Sequence, residues 1–235
     1  MKTIIIYLIL ALLVWGCETE PSQSITISVL YDKTDSTIPR PELSHIKPFF
    51  DDVRFAKGKR QFLYSSITNT NVNLAYKSEL LEGSIIDNNL ERQSKVNKFY
   101  TQIDTLLSQE ADESKIYLNS SIISPLVAHM ETVSKLRTTS KVVLLYSDIL
   151  EASDHLNVYT YGGQQLLLNN PEKVIDRFSL AVKIPDLKGV ELYIIYYPND
   201  LKDNRLFGQM CKVYEELFKD SGLIIHIGLT NTINF

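Results

Sequence analysis

Residues 25–36 read ITISVLYDKTDS, and the fold is decided by how this stretch is read. Its first part, Ile25 to Leu30, is almost continuously apolar and rich in β-branched side chains, as a strand covered on both faces requires. The polar part that follows sets Asp32, Thr34 and Ser36 at alternate positions beside the carboxyl end of that strand. In open α/β sheets ligands sit at that end. A hard cation such as Mg2+ takes about six oxygens at ~2.0–2.1 Å, so one carboxylate and two hydroxyls from a single loop make half a coordination shell.

Working outward, short apolar runs alternate with longer segments of helical spacing, the pattern of βαβ units around a mostly parallel sheet. Arg60 to Thr68 and Val72 to Leu80 flank the turn-prone Asn69-Thr70-Asn71 and predict a hairpin, hence one antiparallel edge strand. Lys141 to Tyr146, Val190 to Tyr197 and Leu223 to Leu229 are the remaining strands. A helical stripe runs from Asp87 to Ser108 through Leu90, Val96, Phe99, Ile103, Leu106 and Leu107, with Ser84 or Asp87 as N-cap. A second helix is expected to start at Ser124 with Pro125 at its first position and Leu126, Met130, Val133 and Leu136 inward. A third carries Leu206 to Phe218 and is closed by Gly222. Between Ile149 and Gly189 the pattern is least legible; Tyr161-Gly162-Gly163 suggests a turn and Pro171 to Phe178 a short helix. The fold class is therefore α/β: three-layer and Rossmann-like, with helices on both faces of the sheet.

The chain begins MKTIIIYLILALLVWGC, with one positive charge at Lys2, an apolar run from Ile4 to Trp15 and Gly16 before Cys17. That run falls short of the ~20 residues a spanning helix needs, so it reads as a secretory signal. Val14-Trp15-Gly16-Cys17 resembles a bacterial lipobox, which implies acylation of Cys17 and a lipid anchor. The expected organisation is a signal over 1–17, a short polar tether over 18–24 and one domain over 25–235. The expected location is the bacterial cell envelope, lipid-anchored, with the outer membrane or cell surface favoured. With Cys17 acylated, Cys211 is the remaining thiol, so a sizeable core must hold the domain without a disulfide. The chain has 235 residues and a formal net charge of −4, and it carries no Lys/Arg-rich stripe to neutralise a phosphate backbone. Nucleic acid is excluded as the expected partner.

A second half of the coordination shell can come from the strand Lys141 to Tyr146, which would lie next to the first one and ends in Ser147-Asp148, so that Asp148 approaches the same point. Asp32-x-Thr34-x-Ser36 after a strand, with Leu144-Leu145-Tyr146-Ser147-Asp148-Ile149-Leu150 later, resembles the metal-ion-dependent adhesion site of von Willebrand factor A domains. The resemblance covers most of the chain past Ser24, including the early hairpin, while its specific motifs cover about ten residues. It implies a metal site of Asp32, Thr34, Ser36, Ser120 and Asp148. Ser120, or its neighbour Ser121, stands at the family's distant threonine, spaced six residues ahead of Leu126; Tyr117-Leu118-Asn119 replaces the usual glycines. The implied cofactor is Mg2+, with Mn2+ or Ca2+ as alternatives, and the implied partner is a protein that offers a carboxylate to the ion.

Other readings stay open at these residues. Asp32 to Ser36 also suits a plain strand-to-helix turn, Asp148 a cap, and Ser120 a helix entry. Asp-x-Thr-x-Ser is similar, too, to the Asp-x-Asp-x-Thr pattern of haloacid-dehalogenase phosphatases, which would make Asp32 a nucleophile, with Asp148 and Asp154 binding Mg2+. Thr34 stands where those enzymes carry their acid/base carboxylate, which argues against hydrolysis. A degenerate A-type fold serving as a scaffold is the third reading. Asp154 and His155 read as loop residues, His129 and His226 as core or boundary histidines, and Cys211 as a buried inert thiol.

Overall fold

The computed structural model describes residues 23–68, 71–83, 88–110 and 120–228, with the side chains of 71–75 and 110 left aside. The expectations for the leader and Cys17, the turn at Asn69-Thr70, the caps at Ser84 and Asp87 and the stretch Tyr117 to Asn119 lie outside the described residues.

Six strands form one sheet: β1 (Ile25–Asp32), β2 (Arg60–Thr68), β3 (Asn71–Leu80), β4 (Ser140–Tyr146), β5 (Val190–Ile195) and β6 (Ile224–Gly228). Their order is β3-β2-β1-β4-β5-β6. Every neighbouring pair is parallel except β2 with β3, so β3 is an antiparallel edge strand. The chain leaves β1 toward β2 on one side, and the later strands extend the sheet from β1's other side. The carboxyl ends of β1 and β4 therefore border the crevice where strand order reverses, the place where such sheets bind ligands.

Helices α1 (Leu43–Phe50) and α2 (Asn89–Glu110) come before β4, together with α3 (Ile123–Ser134); α4 (Tyr161–Asn169), α5 (Pro171–Ala181) and α6 (Leu201–Phe218) follow it. α1 and α3 lie on opposite faces. His45 of α1 reaches the Tyr146 hydroxyl at 3.1 Å and His129 of α3 reaches Ser28 Oγ at 2.7 Å. Tyr146 is paired with Tyr31 and Ser28 with Val143, so the two contacts fall on alternate sides of the pleat. Right-handed crossovers from β4 to β5 and from β5 to β6 put α4 to α6 on the face opposite α1. The core runs through β1 and β4, where Ile27, Val29, Leu30 and Val143 to Tyr146 are wholly buried.

Several boundaries differ from the sequence reading. α1 was not expected: Pro48 lies inside it, yet His45, Ile46, Phe49 and Phe50 are buried, and that packing outweighs the lost amide. α2 is capped by Asn88, whose Oδ1 accepts from Glu91 N, and Leu90 in its first turn is exposed rather than inward. α3 starts at Ile123, one residue early, which puts Pro125 third in the helix. A first-turn amide has no intrahelical partner, so proline costs little there. Tyr161-Gly162-Gly163 opens α4 instead of forming a turn, with Thr160 Oγ1 accepting from Gly163 N at 3.1 Å. A Cβ at Gly163 would overlap the Asn157 carbonyl, so glycine here serves a close approach within a helix entry. α6 ends at Phe218, and Gly222 at φ 76° turns the chain into β6.

Candidate functional site

Asp32 is the last residue of β1 and is fully buried, with β2 continuing alongside it and Ser147, just past the end of β4, against its carboxylate. Its Oδ1 accepts from Thr34 N at 3.0 Å, an Asx-type turn that sends the chain off the sheet. Thr34 Oγ1 lies 2.6 Å from the same carboxylate oxygen and 2.9 Å from Ser120 Oγ. Ser120 is 86 positions away in sequence, so the fold has joined two separate loops through hydroxyls. The other Asp32 oxygen accepts from Ser147 Oγ at 2.8 Å. Ser147 in turn accepts from Ile149 N at 2.9 Å and so ties β1 to the loop that leaves β4.

That loop carries Asp148, which is 3% exposed. Asp148 Oδ1 accepts from Leu150 N at 2.9 Å, and Oδ2 accepts a long 3.3 Å hydrogen bond from the hydroxyl of Tyr159, itself exposed at the rim. Between them Ile149 sits at φ 53° although it is β-branched and fully buried. Strain of this kind costs about 1–3 kcal/mol and clusters where a loop must present a particular group.

The electrostatics are one-sided. Burial pushes Asp32 above the ordinary carboxylate range, against the pull of its hydrogen bonds from Thr34 and Ser147, and Asp35 adds to the rise. Asp148 is pushed well above its ordinary value, by burial first and then by repulsion from Asp32, Asp35 and Asp203. The largest influences on both carboxyls are burial, neighbouring carboxylates and hydrogen bonds from the loops. Two dry carboxylates, one raising the other's proton affinity, with hydroxyl oxygens beside them, match the donor chemistry of a hard divalent cation. No three His, Cys, Asp or Glu side chains gather as a metal-binding group among the described residues, so the set depends on its hydroxyls.

Of the five residues read as ligands, Asp32, Thr34 and Ser120 share one hydrogen-bonded cluster, and Asp148 is coupled to it through Ser147 and the field of Asp32. Ser36 is exposed on the outer part of the loop and takes no part in that cluster. Ser120 is the serine that meets Thr34; Ser121 is buried beside it. Asp154 is exposed, and His129 is held neutral by burial, its pKa pushed down to about 4, so it is a core residue bonded to Ser28. His226 stacks on Tyr193 at 4.1 Å and meets Glu191 at 3.1 Å, at the far edge of the sheet. Cys211 is buried and its thiol is pushed up to about 12. Ser147, Tyr159 and Glu151 are contributors that the sequence reading did not assign. Glu151 is the one with a sequence signal: an acidic residue directly after the apolar pair Ile149-Leu150.

No protein-family profile matches the chain, and no curated protein does. Solved structures do. The D319A mutant of the PilB minor pilin from Streptococcus sanguinis is similar with a TM-score of 0.50 at 8% identity, over 92% of this chain and 60% of that one. The PilB minor pilin itself gives 0.48 at 9% over the same shares, and the SpRpn10 VWA domain gives 0.35 at 9% over 88% of each chain. At such identities the likeness to the pilin is one of fold. The chain spans about 60% of the pilin's length.

Proposed function

We propose that this chain is a von Willebrand factor A-like binding module that recognises a protein partner through a divalent cation, Mg2+ or Mn2+, in the crevice between β1 and β4. The observation that carries the reading is the convergence of two buried carboxyls, Asp32 and Asp148, with the Thr34 and Ser120 hydroxyls at the strand-order reversal. Asp32, Thr34, Ser120 and Asp148 would hold the ion, with Ser36 reaching it from the outer loop. When bound, the ion supplies an open coordination position for a partner's carboxylate. Ser147 holds the Asp32 carboxylate in place, the Asx turns of Asp32 and Asp148 fix both loops, and burial keeps competing water away.

Thermal unfolding of the full chain in detergent, titrated with Mg2+ and with Mn2+, tests the reading. A cation at 100 times its dissociation constant should stabilise the folded state by about 2.7 kcal/mol. Asp32→Ala should remove that response. A parent protein indifferent to millimolar cation would instead leave a scaffold of the same fold.

On the same proposal the module is tethered to the bacterial envelope by acylated Cys17. The apolar run ending in Val14-Trp15-Gly16-Cys17 supports this. Labelled fatty acid should be incorporated by the parent and not by Cys17→Ser; equal labelling of the two would refute the tether.

A further inference from the structure

We propose that Glu151 is the positioning residue of this site: its buried side chain fastens the entrance of α3, and with it Ser120, to the loop that carries Asp148. The inference rests on the metal-site reading given above.

The first turn of α3 needs an outside acceptor. Its N-cap is Ile122, which offers no side-chain oxygen to the orphan amides behind it. Glu151 Oε1 supplies one from 28 and 29 residues away, accepting from Ile123 N at 2.6 Å and from Ile122 N at 2.9 Å. The next residue repeats the stitch, since Ala152 N donates to the Ser120 carbonyl at 2.7 Å and the two residues form a β-bridge. On the far side, Val158 N donates to the Glu151 carbonyl at 3.0 Å, and Ala152 bridges to Asn157. The segment Ser120 to Ile123 is therefore sewn to residues 151 and 152 and has no other long-range backbone bond among the described residues.

Both halves of the site depend on that seam. Ser120 Oγ stands 2.9 Å from Thr34 Oγ1, and Asp148 is three residues before Glu151, across the strained Ile149. If Glu151 lets go, the Ala152–Ser120 backbone bond alone holds the hydroxyl to the carboxylate's loop, and their relative position loosens. Glu151 is itself 0% exposed. Capping alone would be served as well by the neutral amide of glutamine, so the two backbone bonds from Oε1 are what positions Ser120.

The test compares Glu151→Ala, Glu151→Gln and the core variant Val174→Ala in the full chain, by Mg2+ calorimetry and by amide exchange at residues 120–123 in EDTA. Loss of an outer partner of a metal ligand costs about 10- to 100-fold in metal affinity, and that is the loss expected for Glu151→Ala. Exchange at 120–123 should quicken in the same variant. Glu151→Gln, which keeps an acceptor at the same place, should restore both, and Val174→Ala, which destabilises the buried face of α5, should alter neither. If Glu151→Ala does not fold, Glu151→Asp, shorter by one methylene, takes its place. Parental Mg2+ affinity together with parental exchange in the alanine or aspartate variant would overturn the proposal. If the parent binds no Mg2+, the metal reading falls, and exchange at 120–123 alone then decides for or against the Glu151 seam.

Discussion

Asp148→Asn will fold more stably than the parent in EDTA and will no longer respond to Mg2+. An asparagine at 148 keeps the acceptor that Leu150 N uses and turns the second oxygen into a donor that can meet the Tyr159 hydroxyl. The charge that burial and Asp32 both oppose is removed. Neutralising a buried charge of this kind should raise stability by about 1–3 kcal/mol at neutral pH, read as a higher urea midpoint at unchanged slope. The gain of about 2.7 kcal/mol that saturating cation gives the parent should disappear. The two changes have opposite signs, as expected where a fold gives up stability to keep a functional site. A variant less stable than the parent in EDTA, with its Mg2+ response intact, would show that Asp148 is only a cap.

In EDTA the protein will lose stability as pH rises from about 5 toward 8, by on the order of 3 kcal/mol from Glu151 alone. Burial pushes the Glu151 carboxyl up to about 7 from an ordinary 4.5, against the two α3 amides that favour its charged form. The folded state thus holds this proton over a range in which the unfolded chain has released it. The contribution is complete below about 4.5 and fades as pH passes about 7. Asp32 and Asp148 are shifted in the same direction and add to the slope. Urea unfolding at pH 5 and pH 8 reads the effect, and Glu151→Gln should flatten its own share. Mg2+ should stabilise more at pH 8 than at pH 5, because protonated carboxyls do not take the ion. A parent whose EDTA stability is level or rising over this range would contradict the assignment.

β1 and β4 are legible to within two residues because burial on both faces leaves a continuous apolar signature, and Arg60 to Thr68 is recovered residue for residue from the turn-prone triplet that follows it. Strand ends then point to the site, since Asp32 and Asp148 terminate or closely follow such runs. α1 is not legible, because Pro48 breaks the local pattern and only the burial of Phe49 and Phe50 restores it. The opening of α4 is misread for the same reason. Gly162-Gly163 favours a turn locally, while Thr160 and the nearby Asn157 carbonyl make it a capped helix entry. Ser36 has the right spacing yet is exposed and outside the hydrogen-bonded cluster, and spacing says nothing of burial. Glu151 has partners that are backbone amides 28 and 29 positions upstream, and backbone donors leave no mark on a sequence.

β1 has a mechanical consequence. Its first residue is pinned at the amino end of the sheet, where Ser24 exchanges hydrogen bonds with Thr139 and Ile25 N meets the Lys59 carbonyl, and its last residue is Asp32. On the tethered reading, a partner drawn away from the envelope would pull one end of this strand while the anchor holds the other, about 23 Å apart at ~3.3 Å per residue. β1 is bonded along its length to parallel strands on both sides, over eight residue pairs with β2 and seven with β4. The share of the load borne by Asp32 would run along the covalent backbone of β1, while the share borne by Asp148 would cross to it in shear through the β1–β4 ladder, whose bonds take the force together instead of parting one after another.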